Sequence, residues 1–594
     1  MKNENTRNTI LAMVLSILVL VGWQYFVVGP RIAHEKARVE AQQAQQKDKL
    51  AQPAPTGAPT SAAAAPSLKT RDKALAENVR VKIDTPALTG SINLRGGRID
   101  DLSLKNYRTG IEPNSPNIVL FSPSGVRDAY YAEMGYVAPQ DAKVPDGQTL
   151  WSMRGGYALT PSMPLTIEYN NGQGLIFKRI YAVDERYLFT VTDEVVNNRN
   201  EAVTLYPYAL ISRHGLPHSD KIYVIHEGAI GYFGEEGLNE TSYGNLDDAL
   251  QIKEKASTGW LGLTDKYWAA AVIPDQKTAF EGRFSSTQQA QQKTYQADYL
   301  LNAQTVAPAG TLKVTHRVFA GAKEVAAVDD YRTNFGIDHF DLMIDWGWFY
   351  FFTKPLFWTI DYLYKMLGNF GVAILLVTVL LKILFFPLAN RSYVSMSKMK
   401  KVQPEMAAIK ERFPDDKLKQ QQELMDLYKR EKINPLAGCL PVLVQIPVFF
   451  ALYKVIYVSI EMRHAPFFGW IKDLSAADPT NIFTLFGLIP FQVPFLHLGA
   501  LPLIMGITMF LQMKMNPEPT DPVQKSLFTW MPVIFTFMLA SFPAGLVLYW
   551  AWNNLLSISQ QAMIMKRQGV RVELFDNIAK LFRKKERLPA DGTG

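Results

Sequence analysis

The sequence predicts an α-helical polytopic membrane protein of six transmembrane helices that carries a large extracytoplasmic antiparallel β domain. Three observations carry that expectation. Residues 10–28, ILAMVLSILVLVGWQYFVV, form an uncharged apolar run of bilayer-spanning length near the N-terminus. Residues 81–320 are short β-prone runs separated by turns, among them RVKIDT, LTIEYNNGQGLIFKRIYAV, YLFTVTDEVVNN and TLKVTHRVFAG. From residue 346 onward five more apolar runs follow. The mean hydropathy of −0.04 is then an average over two unlike parts.

The elements follow in order. Lys2 and Arg7 precede the first run, and Trp23, Tyr25 and Phe26 close it. The run exceeds the apolar core of a secretory signal and no A-x-A site follows, so residues 1–28 read as an uncleaved anchor with its N-terminus inside. Residues 29–80, rich in Gln, Ala and Pro, read as a flexible low-complexity linker. Residues 81–340 form the β domain, with NNGQG as a hairpin turn between LTIEY and LIFKRIYAV. Residues 341–367 mix aromatic rings with Lys354, Asp361 and Lys365, as an interfacial amphipathic helix does. Spans are expected at 369–388, 436–460, 499–515, 526–542 and 544–565, with FPAG (542–545) as a tight turn between the last two. The outer loop is 461–498, and its part 482–498, interrupted by Pro490 and Pro494, reads as a surface or re-entrant segment.

Charge tests the topology. Segment 389–432 carries 11 Lys and Arg against 7 Asp and Glu, and tail 566–594 carries 8 against 4, whereas 461–481 carries 2 against 3. The basic excess falls on alternate loops, which places both termini and the 389–432 segment in the cytoplasm and the β domain outside. That segment reads as a two-helix hairpin. Met396, Met399, Val402, Met406, Ile409 and Phe413 recur at helical spacing, Pro414, Asp415 and Asp416 make a break and cap, and Leu418, Leu424, Met425 and Tyr428 follow. Its basic outer face, with Lys398, Lys400, Lys401, Lys410 and Arg412, suits anionic lipid or a docked polypeptide or RNA-rich partner, and the basic tail leaves the same choice open.

Catalytic chemistry is not advertised. No G-x-S-x-G, H-E-x-x-H, Walker A or Rossmann fingerprint occurs, and a single cysteine, Cys439, excludes an intramolecular disulfide and a cysteine-based metal site. None of the five C-terminal spans has an interior Asp or Glu, which lowers the weight of ion-coupled transport. One cation does lie in a span: Lys382, in VTVLLKILFFPL. A lysine at the centre of a spanning helix costs about 2.5–3.5 kcal/mol, so it either snorkels to the cytoplasmic headgroups or faces a wet cavity. Thr378 lies one turn away, and Gln445, Thr508, Gln512, Thr536, Asn553 and Asn554 place further polar groups in the other spans. Each alone is a helix-packing hydrogen bond; together they can wet a groove.

The anchor, the β domain, DWGWFYF, the span ending in FFPL, SMSKMKKVQPEMAAIKERF, INPLAGCLPVLVQIPVFFALY and DPVQKSLFTWMPVIFTFMLASFPAGLVLYWAWNNLLSISQQ together resemble the YidC/Oxa/Alb membrane insertase family in its Gram-negative form. The resemblance covers the whole chain and is densest over 340–565. It implies a five-helix membrane core, a periplasmic β-supersandwich similar to galactose-mutarotase folds, and residence in the bacterial inner membrane. It also implies a hydrophilic groove open to cytoplasm and lipid, used without a cofactor and without catalysis. Lys382 occupies the position of the family's groove cation, usually Arg; the charge is kept and the bidentate geometry is lost. Substrate contacts carry over to Thr378, Gln445, Phe449 and Trp550, with Gln512 and Asn553 as further polar lining. The implied partners are nascent membrane proteins, the ribosome, the Sec translocon, the signal-recognition-particle pathway and anionic lipids, and not DNA.

Overall fold

The structure is a computed structural model that describes residues 69–139, 142–217, 225–289, 292–414, 416–434, 440–487, 497–517 and 522–570. The expected anchor, most of the linker, Cys439, the middle of 482–498 and the tail beyond 570 lie outside the described residues. The chain divides into a sheet unit that runs through Asp345, apart from Gly110–Pro113, and a helical unit from Trp346 onward.

The sheet unit is built from two large sheets of eleven and nine strands among the described residues. Neighbouring strands pair antiparallel, except that Arg80–Asp84 lies parallel to Ala158–Leu159. Its strands run from Arg80–Asp84 to Thr311–Ala322, and the helix Val325–Thr333 follows. The turn between Leu165–Asn170 and Leu175–Val183 shows how local chemistry sets register. The Asn171 side-chain oxygen accepts from the Gln173 and Leu175 amides at 2.8 and 3.0 Å, while Gly172 and Gly174 take φ of 71° and 88°. Residues of side-chain-bearing types rarely adopt those angles.

The core lies between the sheets, and polar side chains cross it. The Tyr181 hydroxyl of one sheet donates to the Gly97 carbonyl of the other at 2.6 Å, and Tyr299 meets His316 Nδ1 at 2.5 Å. Along Leu175–Val183 alternate residues face inward, so Phe177, Arg179 and Tyr181 are buried. Arg179 stands in register with Asp193 of Leu188–Asn197, and its Nε and Nη2 donate to the two carboxylate oxygens at 2.6 Å each. This is a bidentate pair with neither side chain reaching solvent.

In the helical unit, Tyr350–Leu367 buries Thr353, Leu356, Phe357, Ile360 and Leu363 on one face and exposes Phe351, Trp358 and Tyr362 on the other. Gly368, in the left-handed region, ends it, and the Asn369 side chain caps Phe370–Leu384 by accepting from the Val372 amide at 3.1 Å. Although the apolar run continues to Leu388, this helix stops at Leu384 and the chain turns by 70° into Phe386–Lys401. Pro387 is the physical reason: it has no N–H for the Ile383 carbonyl, so the first helix cannot run through it, whereas the first turn of a new helix accepts it.

The hairpin also differs from expectation. It has three helices, Phe386–Lys401, Gln403–Arg412 and Lys417–Arg430, because Pro404 interrupts the first pattern just after Val402. Met406, Ile409 and Leu427 form its seam with Met399, Val402, Phe413, Leu424 and Tyr428 packed on them. Met396 packs instead on Ile564, and Leu418 and Met425 are exposed, so Leu427 takes the seam position expected of them. Asp416 is the cap of the third helix, accepting from the Lys419 amide at 3.0 Å.

The remaining helices are Leu440–Val458, Ala500–Met515, Pro522–Leu539 and Ala544–Arg567. Among the described residues no single helix is long and apolar enough to cross a membrane; the bent pair Phe370–Leu384 with Phe386–Lys401 passes together, and Gln445–Val458, Ala500–Met515 and Lys525–Leu539 are shorter apolar helices. Their outward faces are apolar: Leu380, Ile383, Phe450, Ile507, Trp530, Ile534 and Phe537 are exposed. An apolar exterior of that extent is matched to lipid, not water. The loop after Val458 closes two helix starts. Asp478 accepts from the Leu501 amide at 2.7 Å, and the Ala476 and Leu474 carbonyls accept from Ala544 and Gly545 at 2.7 and 2.9 Å. Gly499 is needed there, since a Cβ would meet the Asp478 carboxyl carbon at 2.6 Å.

Candidate functional site

The Ala544–Arg567 helix is the centre of the helical unit, packing against Ala500–Met515, Phe370–Leu384, Phe386–Lys401 and Leu440–Val458. Polar residues recur on it at helical spacing: Tyr549, Asn553, Asn554, Ser557 and Gln561, all buried. Four of them bond to three neighbouring helices. Tyr549 accepts from the Gln445 amide of Leu440–Val458, and the Asn554 amide donates to Thr508 of Ala500–Met515 at 3.3 Å. The Gln561 amide reaches the Met515 carbonyl at 3.2 Å. Lys382, in the last turn of its helix, donates to the Ser557 hydroxyl at 2.7 Å.

That last contact is the unusual one. Among the described residues no carboxylate pairs with Lys382, and its hydrogen-bond partner is a neutral hydroxyl. Its ammonium is directed across to the last helix. The Ser557 hydroxyl in turn donates to the Asn553 carbonyl at 2.8 Å, so its lone pairs are what Lys382 meets.

Beside this polar line stands an aromatic wall. Phe449 and Trp550 pack edge to face with ring centroids 4.7 Å apart, and Phe535 meets Trp550 at 5.7 Å. Both Phe449 and Trp550 remain half-buried, with ring surface still free of the packing. Gln445 is half-buried as well, held by Tyr549 next to Trp550.

The other residues singled out from sequence fall differently. Thr378 is buried and its hydroxyl returns to the Ile374 carbonyl at 2.7 Å, the usual back-bond of a helical threonine. Gln512 is half-buried and makes none of the bonds described above. Asn553 contributes its carbonyl to Ser557 and is itself buried. Of the basic residues, Lys398, Lys400 and Lys401 lie in the last turn of Phe386–Lys401, and Lys410 and Arg412 in the last turn of Gln403–Arg412. Lys401 donates to the Gln568 carbonyl at 2.6 Å, tying the hairpin to the end of the last helix. Sequence reasoning missed Tyr549, Ser557 and Gln561. The available signal was their i, i+4 alignment with Asn553.

In the sheet unit a cavity of ≈ 1020 Å³ is lined by Tyr232, Phe233, Glu236, Lys255, Phe280 and Asp338 among others, with no histidine in its lining. Among the described residues no cluster of three or more His, Cys, Asp and Glu is arranged to hold a metal ion.

Apolar helices that gather a cation and amides on an inner seam, joined in one chain to a large two-sheet domain, define a membrane protein that carries a folded domain outside the bilayer. Two family descriptions also divide the chain into two parts, meeting within the Tyr350–Leu367 helix: the YidC periplasmic domain matches residues 80–359 and the 60Kd inner membrane protein matches residues 362–571. The chain belongs to the YidC family of membrane protein insertases, inner-membrane proteins with a periplasmic domain. The membrane protein insertase YidC of Nitrobacter hamburgensis is 56% identical over 605 residues, covering 98% of this chain and 99% of the relative. That of Rhizobium meliloti is 55% identical over 597 residues, covering 99% and 100%. A solved structure described as an active YidC insertase with the first transmembrane domain resolved is 18% identical and covers 81% of this chain and 91% of its own, with a TM-score of 0.35.

Proposed function

We propose that the helical unit inserts membrane proteins through a hydrophilic groove open to cytoplasm and lipid, alone or with the Sec translocon, and helps them fold. The observation that carries this reading is Lys382, a cation held on a neutral hydroxyl with no carboxylate pairing to it among the described residues. A buried charge without a counter-charge is unfavourable, so the missing partner is supplied by the substrate: acidic residues at the short polar end of a nascent chain. The apolar segment then passes the half-buried Phe449 and Trp550 into lipid, where hydrophobic partition provides the drive. No nucleotide is required.

The same reading assigns the rest of the chain. Residues 1–28 anchor it with the N-terminus inside; the tether is shorter than the expected 29–80, because Lys69 bridges Val126 and Ala74 packs in the core of the sheet unit, so the periplasmic domain takes in residues 69–80 as well as 81–340; and 341–367 lie at the interface. Six spans follow the pattern given above, with 389–432 and 566–594 in the cytoplasm. The basic turns at Lys398, Lys400, Lys410 and Arg412 receive a ribosome delivering its chain through the signal-recognition-particle route, or anionic lipid; Lys401, bonded to Gln568, holds that platform in place.

The test is site-specific photocrosslinking from Phe449 and Trp550 to a ribosome-stalled client in inner-membrane vesicles. These positions are better probes than Thr378, whose side chain is buried. Adducts with the client's apolar segment are expected at both; adducts with lipid alone at both would overturn the groove.

A further inference from the structure

Ser557 occupies a junction that the sequence does not announce. Its hydroxyl accepts from Lys382 at 2.7 Å and donates to the Asn553 carbonyl at 2.8 Å. Lys382 lies in the last turn before the 70° bend and Tyr393 in the second turn after it. One buried hydroxyl on the last helix therefore holds the cation at the end of the first arm, while Tyr393 of the second arm packs with Ile564 of the same last helix. We infer that Ser557 is a positioning and specificity-determining residue: it fixes where the Lys382 ammonium rests while leaving its charge uncompensated, and so sets the preference for clients with acidic segments. The inference rests on the groove reading given above.

The chemistry is specific to a hydroxyl. The Asn553 carbonyl takes the serine proton, so the ammonium sees only lone pairs and the contact cannot invert. An alanine would remove the resting place and leave a long flexible side chain to choose among many rotamers. A carboxylate would hold the ammonium more strongly but would neutralise it, and the client's acid would have to displace an internal rival. A neutral hydroxyl orients the cation without competing for its charge.

The experiment uses the full chain in proteoliposomes and a pair of clients identical except for Asp or Asn in the translocated segment. The readout is the ratio of their insertion yields, with protein level and the yield of the Asn client as controls for folding. Ser557→Thr should keep the ratio. Ser557→Asp should lower it about tenfold, to the level of Lys382→Met, and Ser557→Ala about threefold, the Asn client's yield serving to normalise each variant. If Ser557→Asp does not accumulate, the Ala and Thr pair decides, because threonine restores the acceptor and a merely structural defect would lower both clients together. Wild-type ratios for Ser557→Asp, or for Ala as well as Thr, alongside a lowered ratio for Lys382→Met overturn the role of Ser557 and leave the groove standing. An unchanged ratio for Lys382→Met overturns both.

Discussion

Asp193→Asn removes the counter-charge of Arg179 in the middle of the sheet unit, and the geometry fixes how large the loss should be. Arg179 has no solvent exposure and the Asp193 side chain is 3% exposed, so neither water nor counterions can replace the lost carboxylate. Two bonds of 2.6 Å between opposite charges become at best one bond to a neutral amide oxygen, and a guanidinium that stays protonated is left in an interior it cannot leave. Removing one member of a buried pair costs about 3–5 kcal/mol. In a unit of this size each kcal/mol moves the midpoint by about 2–4 °C, so thermal unfolding should shift down by roughly 10 °C. Trp151, whose ring lies 5.1 Å from the Arg179 guanidinium, reports the transition by its fluorescence. The double variant Arg179→Met with Asp193→Leu should recover most of the loss, since a well-packed apolar replacement avoids the desolvation of both charges. A single variant within about 1 kcal/mol of wild type, or a double variant as unstable as the single, would refute the idea that the pair is held by mutual compensation.

His316 and His214 give the sheet unit an acid limit. Burial lowers both to about 4 from the ordinary 6.5, with Asp193 opposing the shift at His316 and Arg98 adding to it at His214. The unfolded chain then binds more protons between pH 6.5 and 4, so stability falls as pH drops through that window, by about 3 kcal/mol for each histidine. His316→Gln should flatten the midpoint-against-pH curve between pH 6.5 and 4; an unaltered slope would remove His316 as the cause. Gly506→Ala should loosen the helical unit, because a Cβ there would overlap the Thr536 Oγ1, and the two helices must part or the threonine must turn. A loss of about 1–3 kcal/mol in detergent melting is expected, partly restored by Thr536→Ala; a Gly506→Ala variant as stable as wild type would mean that the two helices do not pack so closely.

What was legible in the sequence was whatever local chemistry decides. The Asn-Gly-Gln-Gly turn demands positive φ at Gly172 and Gly174, and the apolar stretches of 500–515 and 544–567 have few alternatives to helix. What was illegible depended on partners distant in sequence. Nothing within LIFKRIYAV announces Asp193, which stands opposite Arg179 only once the strands are in register. The end of the Lys382 helix was misplaced for a different reason. Apolar composition continues to Leu388 and hydropathy sees no boundary, whereas Pro387 acts through a hydrogen bond missing to the carbonyl four residues earlier. In the hairpin, a three-four spacing admits more than one register once Pro404 breaks the helix, and Leu427 rather than Leu418 or Met425 enters the seam. Ser557 is illegible for the simplest reason: serine in a helix carries no signal until Lys382 is seen beside it.

The two units treat buried cations in opposite ways, and the contrast bears on Lys382. In the sheet unit Arg80, Arg98, Arg179, Arg213 and Arg283 each face a carboxylate: Asp100, Glu133, Asp193, Asp265 and Asp298. Even Lys323, whose ammonium donates to the Thr264 hydroxyl at 2.9 Å, sits in the field of Asp265 and Asp345. Pairing is what folding alone favours, because an uncompensated interior charge is the more expensive state. The helical unit has the same option, since one Asp in place of Ser557 would supply the partner. On the groove reading proposed above, a fold that compensates its interior arginines one by one and leaves Lys382 on a serine keeps that charge for a second molecule to complete.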